Sequence, residues 1–189
     1  MFLFVLLASV VSAAPVTSEV TPASHVAPAA LFSLSGSVAG LNGGGSGAGV
    51  AGRVIYNPSP RLGVEVGTRE AVVVPNDRVT GTILVLGRYK FGPAYLAAGF
   101  AHSHETPLEL AKAQPVAATF GGLEGIEHRS GFEVGAGFDA PLSMIGDRWG
   151  VTGALTMTAF PDAVGTPLYA NAELGLSFDV GTLTRNRGE

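Results

Sequence analysis

Between residues 30 and 180 of this 189-residue chain, apolar residues alternate with small or polar ones in about eight separate runs. The run at 130–140 is the clearest: Phe132, Val134, Ala136 and Phe138 alternate with Gly131, Glu133, Gly135, Gly137 and Asp139. Successive side chains of a strand point to opposite faces, so such a run presents one apolar face and one small or polar face. Gly, Pro and Asn separate the runs, as turn residues do. The chain reads as all-β.

The other runs lie near 31–41, 48–56, 61–69, 80–90, 94–104, 149–160 and 168–180. In the first, Phe32, Leu34 and Val38 oppose Ser33, Ser35 and Ser37; in the second, Val50, Val54 and Tyr56 oppose Gly49, Ala51 and Arg53. Near the end of the chain, Val151, Leu155 and Met157 oppose Thr152, Thr156 and Thr158. The fourth run is ambiguous, because Leu84 and Leu86 share a face with Arg88 and Lys90 while Ile83, Val85 and Tyr89 share the other. Lengths of about ten residues suit a tilted membrane strand better than a soluble one of about five or six.

Composition indicates which face looks outward. Only 14% of the residues are charged, against roughly 25% in a typical soluble domain, while 47% are hydrophobic. The second face is mostly Gly, Ala, Ser and Thr, too poor in charge for a wet surface but suited to a narrow lumen. An apolar exterior around a polar interior is the membrane-barrel arrangement, and a soluble lipocalin-like barrel would reverse it. No apolar run after the N-terminus approaches the roughly 20 residues that a spanning helix needs. Connection lengths agree: 57–60, 91–93 and 141–148 are short to moderate, whereas 42–47, 70–79, 105–129 and 161–167 include the longest link. Short periplasmic turns and longer outer loops are the barrel pattern. Tyr56, Tyr89, Tyr95, Trp149 and Phe160 fall near strand ends, where interfacial girdles form. The expected fold is an eight-stranded antiparallel transmembrane β-barrel over 30–181.

The absence of cysteine excludes a disulfide scaffold, a Cys-based zinc site and thiol chemistry. A net charge of −4 offers no basic footprint, so nucleic acid is not an expected partner. Residues 1–13 (MFLFVLLASVVSA) form an apolar run ending in small residues, read as a signal peptide cleaved after Ala13. Residues 14–29 (APVTSEVTPASHVAPA) read as a flexible linker, and 182–189 as a C-terminal tail.

The segment 131–161, GFEVGAGFDAPLSMIGDRWGVTGALTMTAFP, resembles the next-to-last hairpin of the small outer-membrane barrels typified by OmpA and OmpX. It pairs a strand bearing Glu and Gly on one face with a Pro-Leu-Ser turn and an alternating strand. The resemblance implies an eight-stranded barrel in a diderm outer membrane, inserted by the barrel-insertion machinery. Members of that family often end on an aromatic residue, whereas here Phe178 is followed by residues 179–189.

Six charged residues, Arg53, Glu65, Arg69, Arg88, Glu133 and Glu173, are assigned to the inner face. Buried charges must be paired, so these are expected to form a plug that sets register; the alternative is a gated ion or proton path. His102 and His104 share one face of a strand, and His128 across the long link is a third imidazole. Without a Cys or a facing carboxylate beside them, they are expected at the membrane rim against lipid phosphates, with no metal site. Thr106-Pro107-Leu108-Glu109 reads as a capping box opening a short helix in the longest loop.

His128-Arg129-Ser130 resembles the His-x-Ser of outer-membrane lipid A deacylases, with Gly131 where that family has Asn. A Ser nucleophile needs an oriented base, and Glu127 and Glu133 are expected to face away. The triplet is therefore read as non-catalytic. The reading is a monomeric, non-enzymatic outer-membrane protein without a cofactor, structural or surface-interacting, meeting outer-membrane lipids and lipopolysaccharide. The alternatives are a narrow transport barrel and, more remotely, a lipid A hydrolase.

Overall fold

Each alternating run is a strand: β1 (Ala29–Leu41), β2 (Ser46–Asn57), β3 (Leu62–Val74), β4 (Arg78–Phe91), β5 (Ala94–Pro107), β6 (Glu127–Pro141), β7 (Trp149–Ala159) and β8 (Leu168–Asp179). Every strand pairs antiparallel with the next, and β8 pairs back onto β1 from Leu31↔Asp179 to Leu41↔Tyr169, closing the barrel. Closure leaves no open sheet edge, as strands in lipid require. The computed structural model describes residues 29–41, 45–74, 77–122, 124, 126–161 and 168–181. The expected signal peptide, nearly all of the linker and the tail lie outside the described residues.

The barrel is apolar outside and polar within. Leu34, Leu155 and Leu174 are 58%, 68% and 64% exposed, whereas Glu65 and Glu133 are fully buried. Serines 33, 35 and 37 and threonines 152, 156 and 158 line the lumen, opposite the apolar residues of their own strands. In the fourth run, Leu84 and Leu86 turn inward with Arg88, so Val85 and Tyr89 face out. Leu84 and Leu86 join Tyr95, Ala97, Ala101, Phe160 and Tyr169 in a small apolar cluster inside the barrel. Tyr95 and Phe160 are therefore lumen residues and not part of a girdle, because their positions in the pleat point inward. Tyr56, Tyr89 and Trp149 do face outward, all at the end that carries Ala29 and Asp179.

That terminal end holds the links 58–61, 92–93 and 142–148. Gly92 adopts φ +67°, a left-handed conformation that suits glycine, in the tightest of them. At the far end, the hairpin ladders run further than the alternation predicted. β3 and β4 pair as far as Val73↔Arg78, and β5 and β6 as far as Glu105↔Glu127. The expected loops 70–79 and 105–129 shrink accordingly, because residues 70–73 of β3 and 105–107 of β5 still pair with β4.

The remaining long link carries α1 (Leu108–Ala113) and α2 (Pro115–Thr119). The short helix is present, but the capping box is not. Thr106 is buried in β5 opposite Val79, and Pro107 holds the N-cap position without a side-chain cap. Pairing with β4 keeps Thr106 extended and its hydroxyl away from the helix.

An apolar outer belt predicts a specific weakness. Leu34→Arg, near the middle of β1, is expected to cost about 2–4 kcal/mol of stability in lipid vesicles. Denaturant-dependent folding measures this, and an unchanged midpoint would contradict a lipid-facing Leu34.

Candidate functional site

Three arginines and four carboxylates converge inside the barrel. Arg53 Nη1 lies 2.6 Å from Glu65 Oε1, and its Nη2 pairs with Glu173 Oε2. Arg69 donates from Nη1 to Glu133 Oε2 at 2.9 Å and from Nε to Glu173 Oε1 at 2.7 Å. Arg88 Nε pairs with Glu65 Oε2 at 2.8 Å and Nη1 with Asp139 Oδ2 at 3.0 Å. The result is an unbroken order of alternating sign: Asp139, Arg88, Glu65, Arg53, Glu173, Arg69, Glu133. Thr158 donates a second bond to Glu133 Oε2 at 2.6 Å, and Thr152 donates to the other Asp139 oxygen, Oδ1, at 2.9 Å. The Arg88 guanidinium also stacks on the Tyr95 ring at 3.5 Å.

All six residues assigned to the inner face belong to this one network. Asp139 also belongs to it, although the sequence marked it only as an inner-face residue of its run. The network fills its level of the barrel. A cavity of about 330 Å³ opens at the terminal end, lined by Asn57, Lys90, Asp139 and Arg148 among others, and Asp139 is the only network member it reaches. On the far side, a pocket of about 20 Å³ remains between Arg69, Thr82, Thr158 and Phe160.

A second cluster closes the far mouth. Glu105 accepts from Tyr169 Oη at 2.7 Å and pairs with Arg78 at 3.0 Å and Arg129 at 3.1 Å. Arg129 also reaches Glu127 at 2.9 Å. Sequence reading missed this cluster because strand ends beyond the clean alternation were assigned to loops.

On the outer face at the same end, the apolar belt stops at the pair Phe100↔Phe132. The next outward positions are His102 opposite Ser130, then His104 opposite His128. One ring nitrogen from each of the three histidines lies within 4.8 Å of the others. Ser130 Oγ is 3.0 Å from His102 Nδ1, so the imidazole beside the serine comes from β5 and not from its sequence neighbour His128. Among the described residues no carboxylate hydrogen-bonds any of these histidines, since Glu105, Glu127 and Glu133 are all engaged with the inner-face arginines. His104 corrects the expectation of a lipid-phosphate contact. It is 2% exposed, covered by the α2 segment, and its Nδ1–H donates to the Thr119 carbonyl at 3.1 Å.

No protein-family model and no curated protein matches the sequence. Solved structures match the fold. The N-terminal barrel domain of Pseudomonas aeruginosa OprF aligns at 15% identity, covering 79% of this chain and 96% of that one, with a TM-score of 0.53. Pseudomonas aeruginosa OprG aligns at 13% identity, covering 82% and 97%, with a TM-score of 0.54. The fold is that of the small OmpA/OmpX-like outer-membrane barrels.

In a barrel of this size the lumen is filled by its own side chains, and here the filling is largely ionic. Glu173 joins Arg53 to Arg69, as Glu65 joins Arg53 to Arg88. Removing one partner from a buried ionic network leaves an uncompensated charge and costs about 3–5 kcal/mol. Glu173→Ala is expected to lower folding stability by that amount in equilibrium denaturation. Glu109→Ala, which breaks only the exposed pair with Lys112, is expected to cause no measurable change. Equal midpoints for both variants would refute a stabilising role for the buried Glu173 pairs.

Proposed function

We propose that this protein is a non-enzymatic outer-membrane barrel with a plugged lumen, which holds a rigid rim and loop at the cell surface for contact with lipopolysaccharide or a surface partner. The observation that carries this reading is the ionic network running from Asp139 to Glu133, with each arginine paired to two carboxylates. A conducting lumen needs a continuous wet path, and side chains held in mutual ion pairs occupy it. The far end supports the surface role. There the α1–α2 segment presents Val116 and Phe120, both largely exposed, beyond a mouth tied by Glu105, Arg78 and Arg129.

A hydrolytic reading lacks one component. His102 stands beside Ser130, but among the described residues no carboxylate hydrogen-bonds that imidazole, and its other nitrogen faces His128 at 3.5 Å. An unoriented base gives little nucleophile activation.

Planar-bilayer recording tests the plugged lumen. The purified barrel is expected to show no regular large conductance steps. Regular steps from the wild-type protein, suppressed by widening the cation or anion in the bath, would replace this reading with transport.

A further inference from the structure

Beyond the plugged-barrel reading, we propose that His102, His104 and His128 form a binding site for one divalent late transition-metal ion on the outer face of the far rim. The strand pairing builds the site. His102 and His104 are two apart on β5 and so share a face, and His128 sits directly opposite His104 on β6. A sheet therefore fixes all three backbone positions, and no loop is required to bring the ligands together.

The ring orientations fit the same role. A carbonyl can only accept, so the Thr119 oxygen 3.1 Å from His104 Nδ1 places the proton on that nitrogen and leaves Nε2 with a free lone pair. Histidine ligands are commonly set by such a bond on the other ring nitrogen. His102 engages Ser130 through Nδ1, which turns its Nε2 toward His128 Nδ1 at 3.5 Å. Two nitrogens bound to one tetrahedral zinc at about 2.0–2.1 Å stand about 3.3–3.4 Å apart. The facing pair is already close to that spacing, and one ring nitrogen from each of the three histidines lies within 4.8 Å of the others.

Gly121, at φ +71°, packs directly against the cluster. A Cβ at this position would stand 2.6 Å from His104 Nε2 and 2.8 Å from His128 Cε1. Only glycine can pack this closely against the two rings, because any side chain here would displace them. His128 is exposed, so the site opens to solvent on one side, and the fourth coordination position falls to water. An all-imidazole donor set selects zinc, copper, nickel or cobalt over calcium and magnesium, which require oxygen ligands.

The test uses the full-length barrel, folded in detergent and stripped of metal, titrated with Co²⁺ and then with Zn²⁺. One equivalent of Co²⁺ is expected to give the visible absorption of a tetrahedral nitrogen site, and Zn²⁺ to displace it. His102→Ala, His104→Ala and His128→Ala are each expected to weaken binding at least about 100-fold, more than the 10–100-fold cost of altering a ligand's supporting bond. His25→Ala, which removes the fourth histidine of the chain, is expected to bind as the wild type does. Heat-modifiable gel mobility reports whether each variant has formed a barrel. X-ray absorption of the zinc-loaded wild type needs no variant and is expected to show imidazole scattering with nitrogen near 2.0 Å. Absence of saturable one-to-one binding, binding that survives loss of all three histidines, or an oxygen-only shell would overturn the proposal.

Discussion

Pairing of β8 with β1 is the constraint to which the other features answer. A strand in hydrocarbon cannot leave backbone N–H or C=O groups unpaired, so the sheet must close. Once eight strands close, the interior is too narrow for bulk water, and half of all strand side chains must share it. Gly, Ser and Thr on the inner face are the consequence, and they leave room for a few long side chains to meet from opposite walls. Arg53 on β2, Arg69 on β3 and Arg88 on β4 reach Glu173 on β8, Glu133 on β6 and Asp139 on β6 in this way. The ionic network and the small-residue lining are thus two parts of one packing solution.

The network also restrains strand register. A shift of one residue would turn every side chain of that strand to the opposite face. For β8 this would place Glu173 in lipid and strand Arg53 and Arg69 without it. For β6 it would expose Glu133 and Asp139 together. Hydrophobic burial alone discriminates weakly in a barrel whose inner face is mostly Gly, Ser and Thr. Charge pairing in a low-dielectric interior discriminates far more sharply, because a lone buried charge is costly.

Most of this architecture was legible in the alternation, since period two is the pleat itself. Strand number, closure class and inward charges all follow from it, down to the six inner-face residues that join one network. The strand ends were less legible. Past Phe100 and Phe132 the outward positions become His102, His104, Ser130 and His128, so polarity no longer reports facing and the ladder resembles a loop. Tyr95 and Phe160 misled for the opposite reason. Aromatic residues near strand ends suit a girdle, but their place in the pleat puts them beside Leu84 and Leu86 in the lumen. The partner of Ser130 was equally hidden, because sequence proximity favours His128 and only the β5–β6 register brings His102 across.

The position of the histidines above the belt separates what the barrel needs from what its rim can do. β5 and β6 have 14 and 15 residues, more than the roughly 9–11 that cross a membrane. The excess lies at the far end, where the side chains of the outer face meet neither lipid tails nor the lumen network. Changes at these positions leave the ions and the closure untouched, while the ladder still holds each backbone in place. A strand backbone holds a binding constellation more precisely than a loop does, and the Ser130 and Thr119 contacts fix the His102 and His104 rings further. Glu105, Arg78 and Arg129 stiffen the same hairpins from within, one pleat away from the imidazoles. Inner charges and outer histidines therefore share a scaffold without sharing a partner, so the rim chemistry can vary independently of the fold.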